Sequence, residues 1–215
     1  MSEPQIVFYF DCVSTFSYIG FEFMERYRRL WNIEVDYRPF ILAEAMAASK
    51  NTISQNKMRY LFTDMSRISA ITKIPFKGVP NKYPYDSTVV LRTLQYLKTR
   101  HADKLVPAMR RLWQTEFVER TMLDSEDSVK KALDGIVDAH IVDLAIAADD
   151  TLDAIRKNLA EIKGMKEFGA PTILVYKSVE SKPQMYFGSD RFEHIAIYLG
   201  KEFHPMKQLF ANARI

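Results

Sequence analysis

A chain of 215 residues that is 47% hydrophobic and 13% aromatic can bury a sizeable core, which excludes a disordered polypeptide and suits one domain or two intimate ones. Thirty Lys and Arg against 27 Asp and Glu leave +3 in short mixed runs, so neither a nucleic-acid footprint nor a polybasic membrane patch is expected, and the expected partners are small molecules or a second copy of the chain. The single cysteine, Cys12, excludes an internal disulfide and a cysteine metal cluster and suits a reducing compartment, while no apolar run approaches the ~18 to 20 residues of a membrane span, so a soluble protein is expected.

The amino terminus, MSEPQIVFYF, has no basic n-region and no arginine-rich amphipathic leader, so no cleavable signal is expected there. Ile6 to Asp11 is a short continuous apolar run rich in strand formers, the pattern of a buried central strand. From Ser14 the period changes: Phe16, Ile19, Phe23, Tyr27 and Leu30 recur at steps of three and four and predict a helix. Ile33, Val35 and Tyr37 then alternate with polar neighbours up to Pro39, a second strand. Strand, helix and strand within about 35 residues make a βαβ unit with a right-handed crossover and a parallel pair.

The middle of the chain keeps helical spacing. Met58, Leu61, Met65 and Ile68 form one series, and Val90, Leu94 and Leu97 a second; further series are Val106, Met109, Trp113 and Phe117; Val129, Leu133 and Ile136; and Leu152, Ile155, Leu159 and Ile162. Residues 73–87, KIPFKGVPNKYPYDS, carry Pro75, Pro80 and Pro84 and interrupt it as a loop. After Gly164, PTILVY at 171–176 and MYF at 185–187 predict an antiparallel hairpin, and a last helix follows from about Asp190, burying Phe192, Ile195, Ala196 and Leu199 and ending at Gly200. The order βαβ, helices, ββα is that of an α/β thioredoxin-like fold interrupted by an all-helical insertion. The expected units are 1–50 with 165–215, and 51–164. The carboxyl-terminal ANARI ends small, basic, hydrophobic, a loose form of the SKL-type peroxisomal address.

The chemistry turns on FDCVSTFSYIGFEF, where strand hands over to helix at Ser14, Thr15, Phe16 and Ser17. One reading of Ser14 is an N-cap, worth roughly 1 kcal/mol. The other is an anion site, since a helix start at the carboxyl end of a buried strand is where such folds receive anions. A thiol of pKa ~8.5 is only a few per cent ionised at neutral pH, and lowering it by two units takes about 2.7 kcal/mol. The helix dipole supplies ~0.3 to 1 kcal/mol and a hydroxyl donating to sulfur a further ~1.5 to 3, so the two suffice together. Ser14 therefore suits holding a substrate thiolate better than attacking, because His101, His140, His194 and His204 lie in no recognisable triad context.

Two later stretches add to this. In EFGAPTILV, Pro171 heads a strand; an ordinary trans proline is one reading, and a cis bond after Ala170 that offers its amide and carbonyl to an extended peptide is the other. In YFGSDRFEHIAIYLG, Ser189 or Asp190 with Glu193 reads as a capping box, or as amides and a carboxylate that grip a zwitterionic amino-acid end with Asp190 on its ammonium. Cys12 reads as a buried structural thiol, and Trp31 and Trp113 as core aromatics.

Taken in order, DCVSTFSYIGFEF, SKN at 49–51, FGAPTILV, FGSDRFEHIAIYLG and the closing NAR resemble the kappa-class glutathione transferases, of DsbA-like thioredoxin fold with a helical insertion. The similarity runs end to end. It implies conjugation of the glutathione thiolate to hydrophobic electrophiles, peroxide reduction as a side activity, a homodimer, no metal or permanent cofactor, and a mitochondrial or peroxisomal location. Ser14 then matches the catalytic serine, and Thr15 and Phe16 the helix start that meets glutathione. Ala170 and Pro171 match the cis-proline turn that pairs with its cysteinyl part, Ser189 and Asp190 the γ-glutamyl grip, and Asn51 and Lys57 further contacts. Thr15 stands where a proline is usual and Tyr18 where a tryptophan is usual, which bears on the rigidity of the turn and the shape of the electrophile side. A glutathione-dependent isomerase of hydroxychromene carboxylates and a thioredoxin-fold binding protein without chemistry stay open. A dithiol oxidoreductase does not, since neither Ser14 nor Ser17 can form a disulfide.

Overall fold

The computed structural model describes residues 3–50, 52–165, 169–178 and 180–211. Its centre is strand β1 (Gln5–Phe10), whose apolar run is buried from Ile6 onward. The alternate side chains of β1 enter two cores, Ile6, Phe8 and Phe10 on one face and Val7 and Tyr9 on the other, and both of its edges are paired. β1 pairs in parallel with β2 (Val35–Pro39), Ile6 opposite Val35, and antiparallel with β3 (Thr172–Tyr176), Phe8 opposite Ile173. β4 (Gln184–Phe187) completes the sheet in the order β2-β1-β3-β4. Pro39 is accommodated because β2 is an edge strand, where a missing amide costs no ladder bond.

Between β1 and β2 runs α1 (Thr15–Trp31), ended by Asn32 in the left-handed region at φ 52°. Its predicted apolar face is only part of what it buries. Tyr18, Phe21, Met24 and Trp31 are buried as well, while Leu30 is exposed. The physical reason is that α1 is enclosed: Phe21 meets Tyr37 of β2 and Trp113 of α5 (Ala102–Phe117), and Phe23 meets Phe192 of α9 (Phe192–Leu199) and Phe210 of α10 (Met206–Ala211). The predicted face places Leu30 one residue short of the helix end that Trp31 closes, where Trp31 Nε1 donates to the Glu202 carbonyl at 2.8 Å.

The helices between β2 and β3 are α2 (Leu42–Ser49), α3 (Gln55–Thr72), α4 (Thr88–Arg100), α5, α6 (Glu126–Ala132), α7 (Ala139–Ala147) and α8 (Asp149–Lys163). The series Val129, Leu133, Ile136 is not one helix, because α6 stops at Ala132 and Gly135 turns the chain at φ 76°. α2 and α10 carry no periodicity long enough to be read in advance. Residues 73–87 form the expected non-helical segment, and it straps the fold: the Tyr18 hydroxyl donates to the Pro75 carbonyl, and the Tyr83 hydroxyl donates to the Val13 carbonyl.

Candidate active site

The site is built where β1 ends. Asp11, Cys12 and Val13 form the turn into α1, and its three successive carbonyls are all held, one within the turn itself and two by other elements. The Asp11 carbonyl accepts from the Ser14 amide at 3.1 Å, Cys12 accepts from Trp113 Nε1 of α5 at 3.0 Å, and Val13 accepts from Tyr83 of the strap. Trp113 and Tyr83 thus fix the turn from outside, with threonine at position 15.

Asp11 adds a fourth restraint. Its Oδ1 accepts from the Val13 amide at 3.2 Å and its Oδ2 from the Leu42 amide at 2.8 Å, so one buried carboxylate ties the turn to the start of α2. Burial pushes its pKa up to about 6, against the amides that favour the anion. Burial likewise pushes the Cys12 thiol up, with Asp11 and Glu116 adding to it, so Cys12 is the structural thiol that the sequence suggests. Glu116, fully buried on α5, is pushed well above its ordinary carboxylate value by the same desolvation.

Ser14 fulfils both of its readings at once. Its Oγ accepts from the Ser17 amide at 3.1 Å, capping α1, and donates to the Ala170 carbonyl at 3.2 Å. The first turn of α1 carries no acidic residue, so its positive end is not neutralised by a side chain of its own. Ser17 is fully buried and lines neither of the cavities described below. The Ala170–Pro171 bond is cis, the second of the two readings left open by the sequence. Pro171 packs against Gly20, where an added Cβ would lie 3.1 Å from its ring, and its carbonyl accepts from the Gly188 amide at 3.0 Å. Pro171 lines neither cavity described next; it positions Ala170, which lines both.

Two cavities meet over this point. One, of about 220 Å³, is lined by Ser14, Thr15, Phe16 and Ala170 and walled by apolar side chains that include Leu42 and Met46 of α2, Met58, Leu61 and Phe62 of α3, and Tyr83; Lys57 stands among its lining residues. The other, of about 310 Å³, is lined by Phe16, Ala170, Phe187, Gly188, Ser189, Asp190, Arg191, Asp64 and Ile68. They share Phe16, Ala170 and Phe187, so together they form one groove, and Ser14, which lines the first, donates to the Ala170 carbonyl where the two meet.

The capping box expected at α9 does not form. The N-cap is Arg191, with no side-chain cap bond. Gly188 at φ 95° turns the chain so that Asp190 Oδ1 lies 3.0 Å from where a Cβ of residue 188 would stand, and the carboxylate reaches Arg191 at 3.3 Å instead of the helix amides. Ser189 and Asp190 accordingly face the second cavity.

Of the residues singled out in the sequence, Ser14, Thr15, Phe16, Lys57, Ala170, Ser189 and Asp190 line this groove. Asn51 and the tail 212–215, with its NAR and its Ala-Arg-Ile ending, lie outside the described residues. Tyr18 does not line the groove: its ring stacks on Trp113 and Phe117 at 5.8 Å each. Sequence reasoning missed Asp64, which α3 brings to the same cavity as Asp190, and Phe187, which lines both cavities; Asp64 sits in the Met58–Ile68 helical series on a side the apolar spacing does not mark. Among the described residues no group of acidic, His and Cys side chains is placed to hold a metal ion, and no helix is long and apolar enough to cross a membrane.

Comparison with known proteins agrees with this geometry. Residues 5–200 match the family model of the DsbA-like thioredoxin domain. Over 220 residues the chain is 26% identical to glutathione S-transferase kappa 1 of Rattus norvegicus, covering 96% of each chain, and 26% identical to glutathione S-transferase kappa 2 of Caenorhabditis elegans, covering 97% of each. Among solved structures it superposes on a 2-hydroxychromene-2-carboxylate isomerase with TM-score 0.69 at 19% identity, covering 91% of this chain and 94% of that one. It superposes on the Pseudomonas aeruginosa cytosolic disulfide reductase DsbM with GSH with TM-score 0.61 at 15% identity, covering 91% and 92%, which at such identities speaks for the fold alone. The chain therefore belongs to the DsbA-like thioredoxin-domain family and, within it, is similar over nearly its whole length to the kappa-class glutathione transferases.

Proposed function

We propose that this protein is a glutathione transferase that holds the tripeptide extended along the groove, with its sulfur over Ser14. The observation that carries the reading is the double role of the Ser14 hydroxyl, bridging the start of α1 and the Ala170 carbonyl where two cavities join. When a thiolate arrives, the hydroxyl keeps accepting from the Ser17 amide and swings its hydrogen from Ala170 to sulfur. The Ala170 carbonyl is then released to accept the cysteinyl amide of the ligand. One rotation thus exchanges an internal bond for two ligand bonds, and the charge-assisted one is worth ~1.5 to 3 kcal/mol.

The ends of the tripeptide follow from charge. The 310 Å³ cavity offers carboxylates from Asp64 and Asp190 to an ammonium, and the Ser189 turn and Arg191 to an α-carboxylate. Lys57, which lines the 220 Å³ cavity together with Ser14, is the cation this proposal assigns to the glycine carboxylate. The apolar walls of the 220 Å³ cavity suit a hydrophobic electrophile, which the sulfur attacks with its lone pair while the leaving group departs with the bonding electrons. Peroxide reduction by the same thiolate and a homodimeric assembly belong to this proposal.

The test is turnover of glutathione with 1-chloro-2,4-dinitrobenzene, beside turnover of 2-hydroxychromene-2-carboxylate, for wild type and Ser14→Ala. Conjugation that falls at least tenfold in Ser14→Ala supports the proposal. Isomerisation without conjugation reassigns the reaction, and glutathione binding with no turnover of either substrate leaves a binding protein.

A further inference from the structure

Ser14, Tyr18, Glu22 and Arg26 follow one another at steps of four along α1, and the far end of that line opens into a cavity separate from the groove. It has a volume of about 310 Å³ and shares no lining residue with the two glutathione cavities. α5 contributes Arg110 and Gln114, and the end of α3 contributes Lys73.

The charges here do not cancel. Glu22 is the one carboxylate among the lining residues, and it holds both guanidiniums: Oε1 accepts from Arg110 Nε at 2.8 Å and Oε2 from Arg26 at 2.8 Å. Arg26, Lys73 and Arg110 therefore leave two positive charges in excess within one concavity. Both arginines are preorganised. Arg26 lies over the Phe210 ring at 3.9 Å and Arg110 over Phe21 at 5.2 Å, and their side chains are 14% and 27% exposed. Arg110 gives Nε to Glu22, and among the described residues its two terminal nitrogens have no hydrogen-bond acceptor. That leaves the planar fork that matches an oxyanion. Lys73 is tethered by Nζ to the Ala70 carbonyl at 2.8 Å, with two hydrogens to spare.

We infer that this cavity between α1, α5 and the end of α3 binds a small oxyanion, a phosphate or carboxylate group, at a site distinct from that of glutathione. Preordered cations lower the cost of binding, because the side chains need not be frozen by the ligand.

The test is calorimetric titration of the full chain with inorganic phosphate and, separately, with succinate, at ionic strength held constant with sodium chloride. Saturable binding in wild type, weakened at least tenfold in Arg110→Gln and in Lys73→Gln, with glutathione affinity unchanged in Lys73→Gln, is the expected result. Binding of phosphate alone marks a phosphoryl ligand; binding of both marks a general oxyanion site. Lys73→Gln leaves both Glu22 ion pairs in place, so it reports on the site even if Arg110→Gln folds poorly. No saturable binding of either anion, or equal affinity in wild type and Lys73→Gln, overturns the inference.

Discussion

Asp11 offers a quantitative check on how the site is built. The carboxylate is 1% exposed and accepts amides from Val13 and Leu42, yet its pKa lies near 6 because desolvation outweighs those bonds. Unfolded, it titrates at the ordinary 3.8. A folded-state pKa above the unfolded one means that the native state binds the proton more tightly. The contribution of this group to stability is therefore fully present below pH 3.8 and is lost as pH rises through 6. A shift of roughly two units corresponds to about 3 kcal/mol at 1.36 kcal/mol per unit. Asp11→Asn carries no charge in either state. It loses one amide acceptor, a pH-independent offset of about 1 to 3 kcal/mol, and it lacks the titration. Urea unfolding of both proteins from pH 3.5 to 8 should show Asp11→Asn gaining on wild type by about 3 kcal/mol across that range, most steeply between pH 4 and 6. A difference that is flat with pH, or that grows in favour of wild type as pH rises, refutes the burial argument.

Two further outcomes follow from the groove. Gly169→Ala places a Cβ 2.9 Å from the Phe187 ring, so the ring must move along the wall that both cavities share; the KM for glutathione should rise about tenfold, with stability lowered by only about 1 to 3 kcal/mol. Asp64→Asn should weaken glutathione by about 10- to 100-fold, the loss of a charge-assisted bond, while leaving cysteinylglycine, which lacks the γ-glutamyl ammonium, unaffected in a competition assay.

How much of this could be read in the residues depended on whether the signal was local. β1 and α1 announce themselves because a continuous apolar run and a 3.6-residue period sit side by side, and Ser14 marks the boundary by its capping chemistry. The cis Ala170–Pro171 bond stood as one of two readings because a proline heading a strand fits either isomer until the partner strand is known. Leu30 was misplaced because periodicity sees a single face, whereas α1 is packed by the sheet, by α5 and by the carboxyl-terminal helices together. The capping box at 189–193 failed because Gly188 turns the Asp190 carboxylate back before the helix begins, a backbone event that spacing does not encode. Asp64 could not be found at all from its neighbours, since its meaning comes from a residue 126 positions away, Asp190.

The central claim is that a serine at a helix start keeps a substrate sulfur ionised. Its most direct test is the ultraviolet absorbance of the thiolate in enzyme-bound glutathione, titrated against pH in wild type and Ser14→Ala. Removing a donor worth ~1.5 to 3 kcal/mol should raise the bound thiol pKa by about one to two units, from below 7 in wild type toward the free value. A bound thiol that titrates at the same pH in both proteins contradicts the account.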